Sequence, residues 1–200
     1  MRNKPYTVIS FYTQEWHYKK YALELEKNCD RLELPHIITE LESTGRYMDN
    51  TKLKPVFIKQ CLEELRAPVV WIDCDSHLLK RPVFLEMLPD DVVMAAKKKP
   101  GKNVLTWYVA VLWFRYCPES LAFIDRWISE QEDTSGGDHT AMERAWRAAP
   151  IPAAELPEDY GIVLGRGQPP RGTIALRISD WPLKNKEMKE TMAKVKRNII

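Results

Sequence analysis

Apolar positions in the first third of the chain alternate between a short strand period and a helical one. Residues Tyr6 to Tyr12 read as a strand, and Tyr18, Tyr21, Ala22 and Leu25 then fall at i, i+3, i+4 and i+7, the spacing of one helix face. A short strand around His36 to Thr39 leads into the polar stretch Glu42 to Lys52, long enough for a functional loop rather than a tight turn. Pro55 suits the first position of a helix, where its missing N–H costs nothing. Ile58, Cys61, Leu62 and Leu65 supply the apolar stripe of that helix before Pro68 ends it. The unbroken run Val69-Val70-Trp71-Ile72 follows at once, the pattern of a strand covered on both faces.

In the second half, Pro82 to Leu88 predicts a short helix and Val92 to Ala96 a strand. Val104 to Phe114 predicts one long strand or two broken ones, with Pro100-Gly101 punctuating the gap before it. Pro118 opens a helix with Leu121, Ile124 and Ile128 on one face, and Ser135-Gly136-Gly137-Asp138 leads into another that runs to Ala149. From Pro150 to Gly172 the density of Pro and Gly resists regular structure and predicts a loop or lid draped over the body. Thr173 to Ile178 is a last strand, and Met188, Met192, Val195 and Ile199 line one side of a basic terminal helix over residues 184–200. The alternation of strands and helices gives an α/β class, one domain over residues 1–200 with helices flanking a mostly parallel, mixed sheet.

A hydrophobic content of 44% over 200 residues is enough for one sizeable core. The net charge of +2 excludes no class of partner, because lysines still gather at Lys97, Lys98, Lys99 and Lys102 and again near the carboxyl end. Cys29, Cys61, Cys74 and Cys117 form no C-x-x-C pair or Cys/His cluster, so neither a zinc site nor a disulfide framework is indicated and a reducing compartment fits. No stretch has the length of a signal-peptide core or a membrane span, and the expectation is a soluble, cytoplasmic protein without a membrane partner. The chain also lacks the G-x-x-x-x-G-K-[ST] phosphate loop, G-x-G-x-x-G after the first strand, and the G-x-S-x-G elbow.

What remains is carboxylate chemistry at the end of the apolar run, in Asp73-Cys74-Asp75. If the strand persists, alternation points both carboxylates the same way, where they can share one hard divalent cation. Such a triplet also occurs by chance in a chain this rich in Asp. Its position beyond the carboxyl end of a buried strand, where open α/β sheets bind ligands, is what gives it weight. A cation held by two carboxylates keeps positions open for phosphate oxygens, which suits Mg²⁺ or Mn²⁺ serving a diphosphate.

The segments Lys54-Pro55-Val56-Phe57-Ile58, Val69 to Ser76 and Arg81-Pro82, with Tyr108 to Arg115, Pro118 to Glu132 and Asp138-His139 in that order, resemble the GT-A fold. This is the Rossmann-like fold of nucleotide-diphospho-sugar transferases, and the likeness is to glycosyltransferase family 8. The resemblance implies transfer of a hexosyl or pentosyl group from a nucleotide-diphosphate sugar, UDP-sugar favoured, to an acceptor hydroxyl, with Mn²⁺ or Mg²⁺ on Asp73 and Asp75. It implies that Tyr12 and Thr13 seat the nucleotide, that Lys54 and Asp73 contact the donor, and that Asp138 contacts the sugar or acceptor or acts as a base. Asp138 after Gly-Gly also reads as an ordinary helix cap. The pattern lacks a late histidine between Thr173 and Pro182, so Asp180 stands in as a further oxygen ligand, or Arg177 and Lys184 hold the diphosphate.

The acceptor is open, and the clustered lysines leave nucleic acid among the candidates. Two other readings compete. A nucleotidyltransferase is disfavoured because residues 10 to 18 contain no glycine to bring backbone N–H groups to a triphosphate. A degenerate module that binds a nucleotide without turnover draws support from the missing histidine.

Overall fold

The structure, a computed structural model, describes residues 5–14, 18–98, 107–132, 137–164 and 169–176. In chain order its elements are β1 (Thr7–Tyr12), α1 (Tyr18–Arg31), β2 (His36–Glu40), α2 (Tyr47–Leu65), β3 (Val69–Ile72), β4 (Ser76–Leu78) and α3 (Val83–Glu86). Then come β5 (Met94–Lys98), β6 (Trp107–Phe114), α4 (Pro118–Glu132), α5 (Gly137–Ala148), β7 (Ala153–Glu155), β8 (Tyr160–Val163) and β9 (Ile174–Leu176). Six strands form one sheet in the order β2-β1-β3-β6-β5-β7. β6 runs antiparallel to β3 and β5, while the other pairings are parallel. A smaller sheet, β4-β9-β8, continues from the turn that follows β3.

The period of two along β1 and β3 sorts their side chains into two cores. Ile9, Val69 and Trp71 pack with Phe57, Ile58 and Leu62 of α2 and with the buried faces of α4 and α5. Val8, Val70 and Ile72 face the other way, onto Leu25 and Cys29 of α1 and onto Leu78, Leu85 and Ile174. All four residues of β3 are buried, as the unbroken apolar run predicts.

Three expectations are corrected. Pro55 does not start a helix: α2 begins eight residues earlier at Tyr47 and carries Pro55 inside it, so the expected loop Glu42 to Lys52 is loop only as far as Arg46. An internal proline lacks one helical hydrogen bond and strains its helix, so packing must hold the turns before it. Part of that support comes from Gly137, at φ +66°, which sits so close to α2 that a Cβ there would lie 2.7 Å from Met48 Cε and 3.2 Å from Thr51 Oγ1. At the same helix start, the Asn50 carboxamide oxygen accepts hydrogen bonds from the Thr44 backbone and hydroxyl, each 2.8 Å.

Second, the segment Pro150 to Gly172 is not wholly loop. Ala153–Glu155 adds β7 to the edge of the main sheet beside β5, and Tyr160–Val163 pairs with β9. Pairing with β5 and with β9 outweighs the local Pro and Gly content. Third, α4 buries Ser120, Phe123, Ile124, Trp127 and Gln131, so its inward face is centred on Phe123 and Trp127, and Leu121 and Ile128 lie only partly buried at its margin. The expected basic helix at 184–200 lies outside the described residues.

Candidate active site

β1 and β3 end side by side, and the turn after β3 carries the Asp-x-Asp pair. The Asp73 backbone N–H still bonds to Ala110 O of β6 at 2.9 Å, which holds Asp73 in the strand direction. The chain then turns, with Ser76 N–H donating to Asp73 O at 2.9 Å. The strand therefore does not persist through Asp75, and strand alternation is not what orients the pair. Both residues nonetheless line one cleft, partly open to solvent.

Among the described residues, the remaining walls come mainly from β1, α1, α2 and α5, with Trp71 of β3 and Val109 of β6. Phe11, Tyr12 and Thr13 come from the end of β1 and the residue after it, and Tyr18 from the start of α1. Tyr47, Asn50, Thr51 and Lys54 lie at i, i+3, i+4 and i+7 on one face of α2. Asp138 and His139 open α5. Of the residues named from sequence, the cleft thus gathers Tyr12, Thr13, Lys54, Asp73, Asp75 and Asp138, whereas Asp180 and Lys184 lie outside the described residues. Sequence reasoning missed Tyr18, Tyr47, Asn50, Thr51, Trp71 and His139 as site residues. The α2 stripe had a signal, its helical spacing, but it is polar and therefore invisible to an apolar periodicity.

Lys54 organises the floor. Its Nζ lies 2.6 Å from Asp138 Oδ2 and 3.0 Å from Asp73 Oδ1, donates to Val109 O at 3.2 Å, and sits 5.3 Å from the centre of the Trp71 ring. An ammonium has three N–H donors, and these three oxygens take them all. The expected Lys54 contact to a diphosphate therefore meets a side chain only 7% exposed and already fully engaged. Burial opposes the charge on Lys54, but Asp138 and Asp73 outweigh it and hold the ammonium above the ordinary lysine range.

The two acids respond in opposite directions. Burial raises Asp138, but Lys54 and His139 more than offset it and hold the carboxyl below its usual value. Asp138 Oδ1 also accepts from the His139 backbone N–H at 2.9 Å, and its own carbonyl accepts from the Trp127 indole at 2.9 Å. Asp73 is pushed up, by burial first and by Asp75 and Asp138 after it, against the pull of Lys54. Among the described residues, three carboxylates and one ammonium line the cleft, a formal charge of −2.

That excess fits a hard divalent cation, since Mg²⁺ and Mn²⁺ accept one or two carboxylates and fill the rest of their shell with water and phosphate oxygens. Among the described residues no group of three His, Cys, Asp or Glu side chains converges to hold a metal, so any further protein ligand would come from elsewhere in the chain.

No family model matches the chain, and no curated protein sequence matches it. Solved structures do. A glycosyltransferase involved in glycosylation of the major capsid of PBCV-1 aligns at a TM-score of 0.69 and 12% identity, covering 93% of this chain and 99% of its own. Mouse xyloside xylosyltransferase 1 aligns at 0.59 and 10% identity, covering 88% of this chain and 98% of its own. The fold is that of the GT-A glycosyltransferases. Galactosyltransferase LgtC, solved with donor and acceptor sugar analogues, aligns at 0.55 and 7% identity over 86% of this chain and 87% of its own. No helix among the described residues of this GT-A chain is long and apolar enough to cross a membrane.

Proposed function

We propose that the chain is a metal-dependent glycosyltransferase, akin to family 8, that moves a sugar from a nucleotide-diphosphate sugar to an acceptor hydroxyl. The observation that carries this reading is the convergence of Asp73, Asp75 and Asp138 in one cleft at the strand ends of a GT-A fold, three carboxylates against the single ammonium of Lys54 among the described residues. Asp73 and Asp75 would hold Mn²⁺ or Mg²⁺, which when bound stabilises the charge that gathers on the departing diphosphate. Asp138, held ionised beside Lys54, is a weak proton acceptor and a good hydrogen-bond acceptor, so its role is to orient a hydroxyl of the transferred sugar. β9 supports a contribution from Asp180 and Lys184: Leu176 pairs with Ser76, so the chain leaves the small sheet one register position from Asp75.

A UDP-sugar is favoured by the ends of β1 and β2. Glu40 stands opposite Tyr12 in register, and its carboxylate accepts hydrogen bonds from the Tyr12 phenol at 2.9 Å, from the Gln14 carboxamide and from Lys19 at 3.4 Å. Gln14 first and Tyr12 next hold that carboxyl below its ordinary value. Gln14 and Lys19 carry more N–H groups than they give to Glu40, so the cluster can both donate to and accept from a base. The edge of uracil presents both, an N–H between two carbonyl oxygens. A stacked base on Tyr12 would bring this edge towards Glu40.

The acceptor is a hydroxyl compound. Nucleic acid draws less support than the lysine clusters suggest, because Lys97 donates to Glu158 O at 2.7 Å and Lys98 pairs with Glu155 at 2.9 Å. The second reading, a nucleotide-binding module without turnover, is favoured by one observation: Lys54 already gives Asp73 and Asp138 an internal counterion. Incubation with UDP-glucose, UDP-galactose and UDP-xylose, with and without Mn²⁺, decides between them. The expected result is Mn²⁺-dependent release of UDP by the wild type and none by Asp75→Asn. Nucleotide binding with no turnover of any donor would leave the binding module standing.

A further inference from the structure

We infer that Trp71 is a positioning residue for metal ligation, orienting the first aspartate of the pair through its indole N–H; this rests on the metal-dependent reading above. Trp71 Nε1 donates to Asp73 Oδ1 at 2.8 Å, and Lys54 Nζ approaches the same oxygen at 3.0 Å. Two donors on one oxygen restrict the carboxylate's rotation and leave Oδ2 as the oxygen that would meet a cation. The backbone is fixed as well, because the Asp73 N–H and C=O are bonded to Ala110 O and Ser76 N–H. Groups that orient a metal-binding carboxylate in this way commonly change metal affinity by about 10- to 100-fold when removed.

The indole is itself immobilised. It is 2% exposed, its ring centre lies 5.2 Å from Phe11 and 6.2 Å from Phe57, the second edge-on, and the Lys54 ammonium sits over it. A core residue needs none of this N–H chemistry to fill its volume. A Phe or Leu at this position of β3 would keep an apolar face and lose the bond. The two-residue spacing puts Trp71 and Asp73 on the same side of the strand, which lets a core side chain reach the site.

The test removes the N–H without removing the ring. Mn²⁺ binding is followed by the EPR signal of the free ion, with and without UDP, in the wild type, in Trp71→Phe, and in a chain carrying β-(3-benzothienyl)alanine at position 71. That isostere keeps the shape of indole, replaces N–H by sulfur, and remains informative if Trp71→Phe does not fold. The expected result is Mn²⁺ affinity reduced about tenfold or more in the isostere chain, with its unfolding midpoint without metal close to the wild type's. Unchanged Mn²⁺ affinity in that chain would overturn the inference, even if Trp71→Phe binds weakly, because the loss would then be one of packing. Failure of the wild type to bind Mn²⁺, with UDP present or absent, would overturn the metal-dependent reading itself.

Discussion

At the residue scale, the least replaceable group is the Lys54 ammonium. It cancels charge on two acids that are mostly out of water, and removing one member of a buried ion pair strands the others. Lys54→Met should therefore destabilise the protein by about 3–5 kcal/mol in urea unfolding. Adding Asp138→Asn to it should recover a measurable part of that loss, since the two sites are directly coupled. A simple surface lysine would show neither effect. Two thiols give the alkaline behaviour. Burial first, then Asp30 and Glu26, pushes Cys29 up to about 12, and burial and then Glu64 push Cys61 up to about 11, from 9.0. The folded state binds these protons more tightly than the unfolded chain does. Their contribution is complete below pH 9 and is lost as pH rises through the folded values, at up to about 1.4 kcal/mol per pH unit for each thiol. Unfolding free energies at pH 8 and 10.5 should fall accordingly, and less steeply in Cys29→Ala.

At the element scale, the chain enters the last strand of the small sheet through a constrained glycine. Gly172 precedes β9 at φ +82°, and a Cβ there would meet Ile162 Cδ1 at 2.6 Å and Asp159 O at 2.8 Å. Gly45 has a similar φ of +78°, but a Cβ added to it would meet nothing within 4 Å. Left-handed backbone costs a non-glycine residue about 1–2 kcal/mol, and of these two only Gly172 adds a clash with backbone. Gly172→Ala should thus cost clearly more than Gly45→Ala in thermal unfolding, and comparable losses would show that the β8–β9 pairing adds little. The same scale shows where sequence pattern was and was not sufficient. β3 was legible because a fully buried strand is apolar at every position. The start of α2 was not, because its first turns face a polar cleft and their support comes from α5, far along the chain.

At the scale of the whole molecule, the cleft joins elements from both halves of the chain, so occupying it should stabilise the fold as a unit. UDP with Mn²⁺ at about 100 times the dissociation constant should raise stability by roughly 2.7 kcal/mol, about 5–10 °C for a chain of this size. EDTA should reverse most of that shift, and Asp75→Asn should abolish it. An equal shift with UDP alone would separate nucleotide binding from the metal.

The α/β alternation, the buried third strand and the acidic pair at its end were determined by the sequence itself, because burial on both faces and the position of Asp73 and Asp75 are written in local composition. Only the tertiary structure decided what Asp138 and Lys54 do, because the two lie in opposite halves of the chain and meet only when α5 packs on α2. It also decided that Trp71 serves the site as well as the core. A hydrophobic pattern records that a side chain is buried, and the hydrogen bond it makes once buried depends on which neighbours the fold brings within about 3 Å.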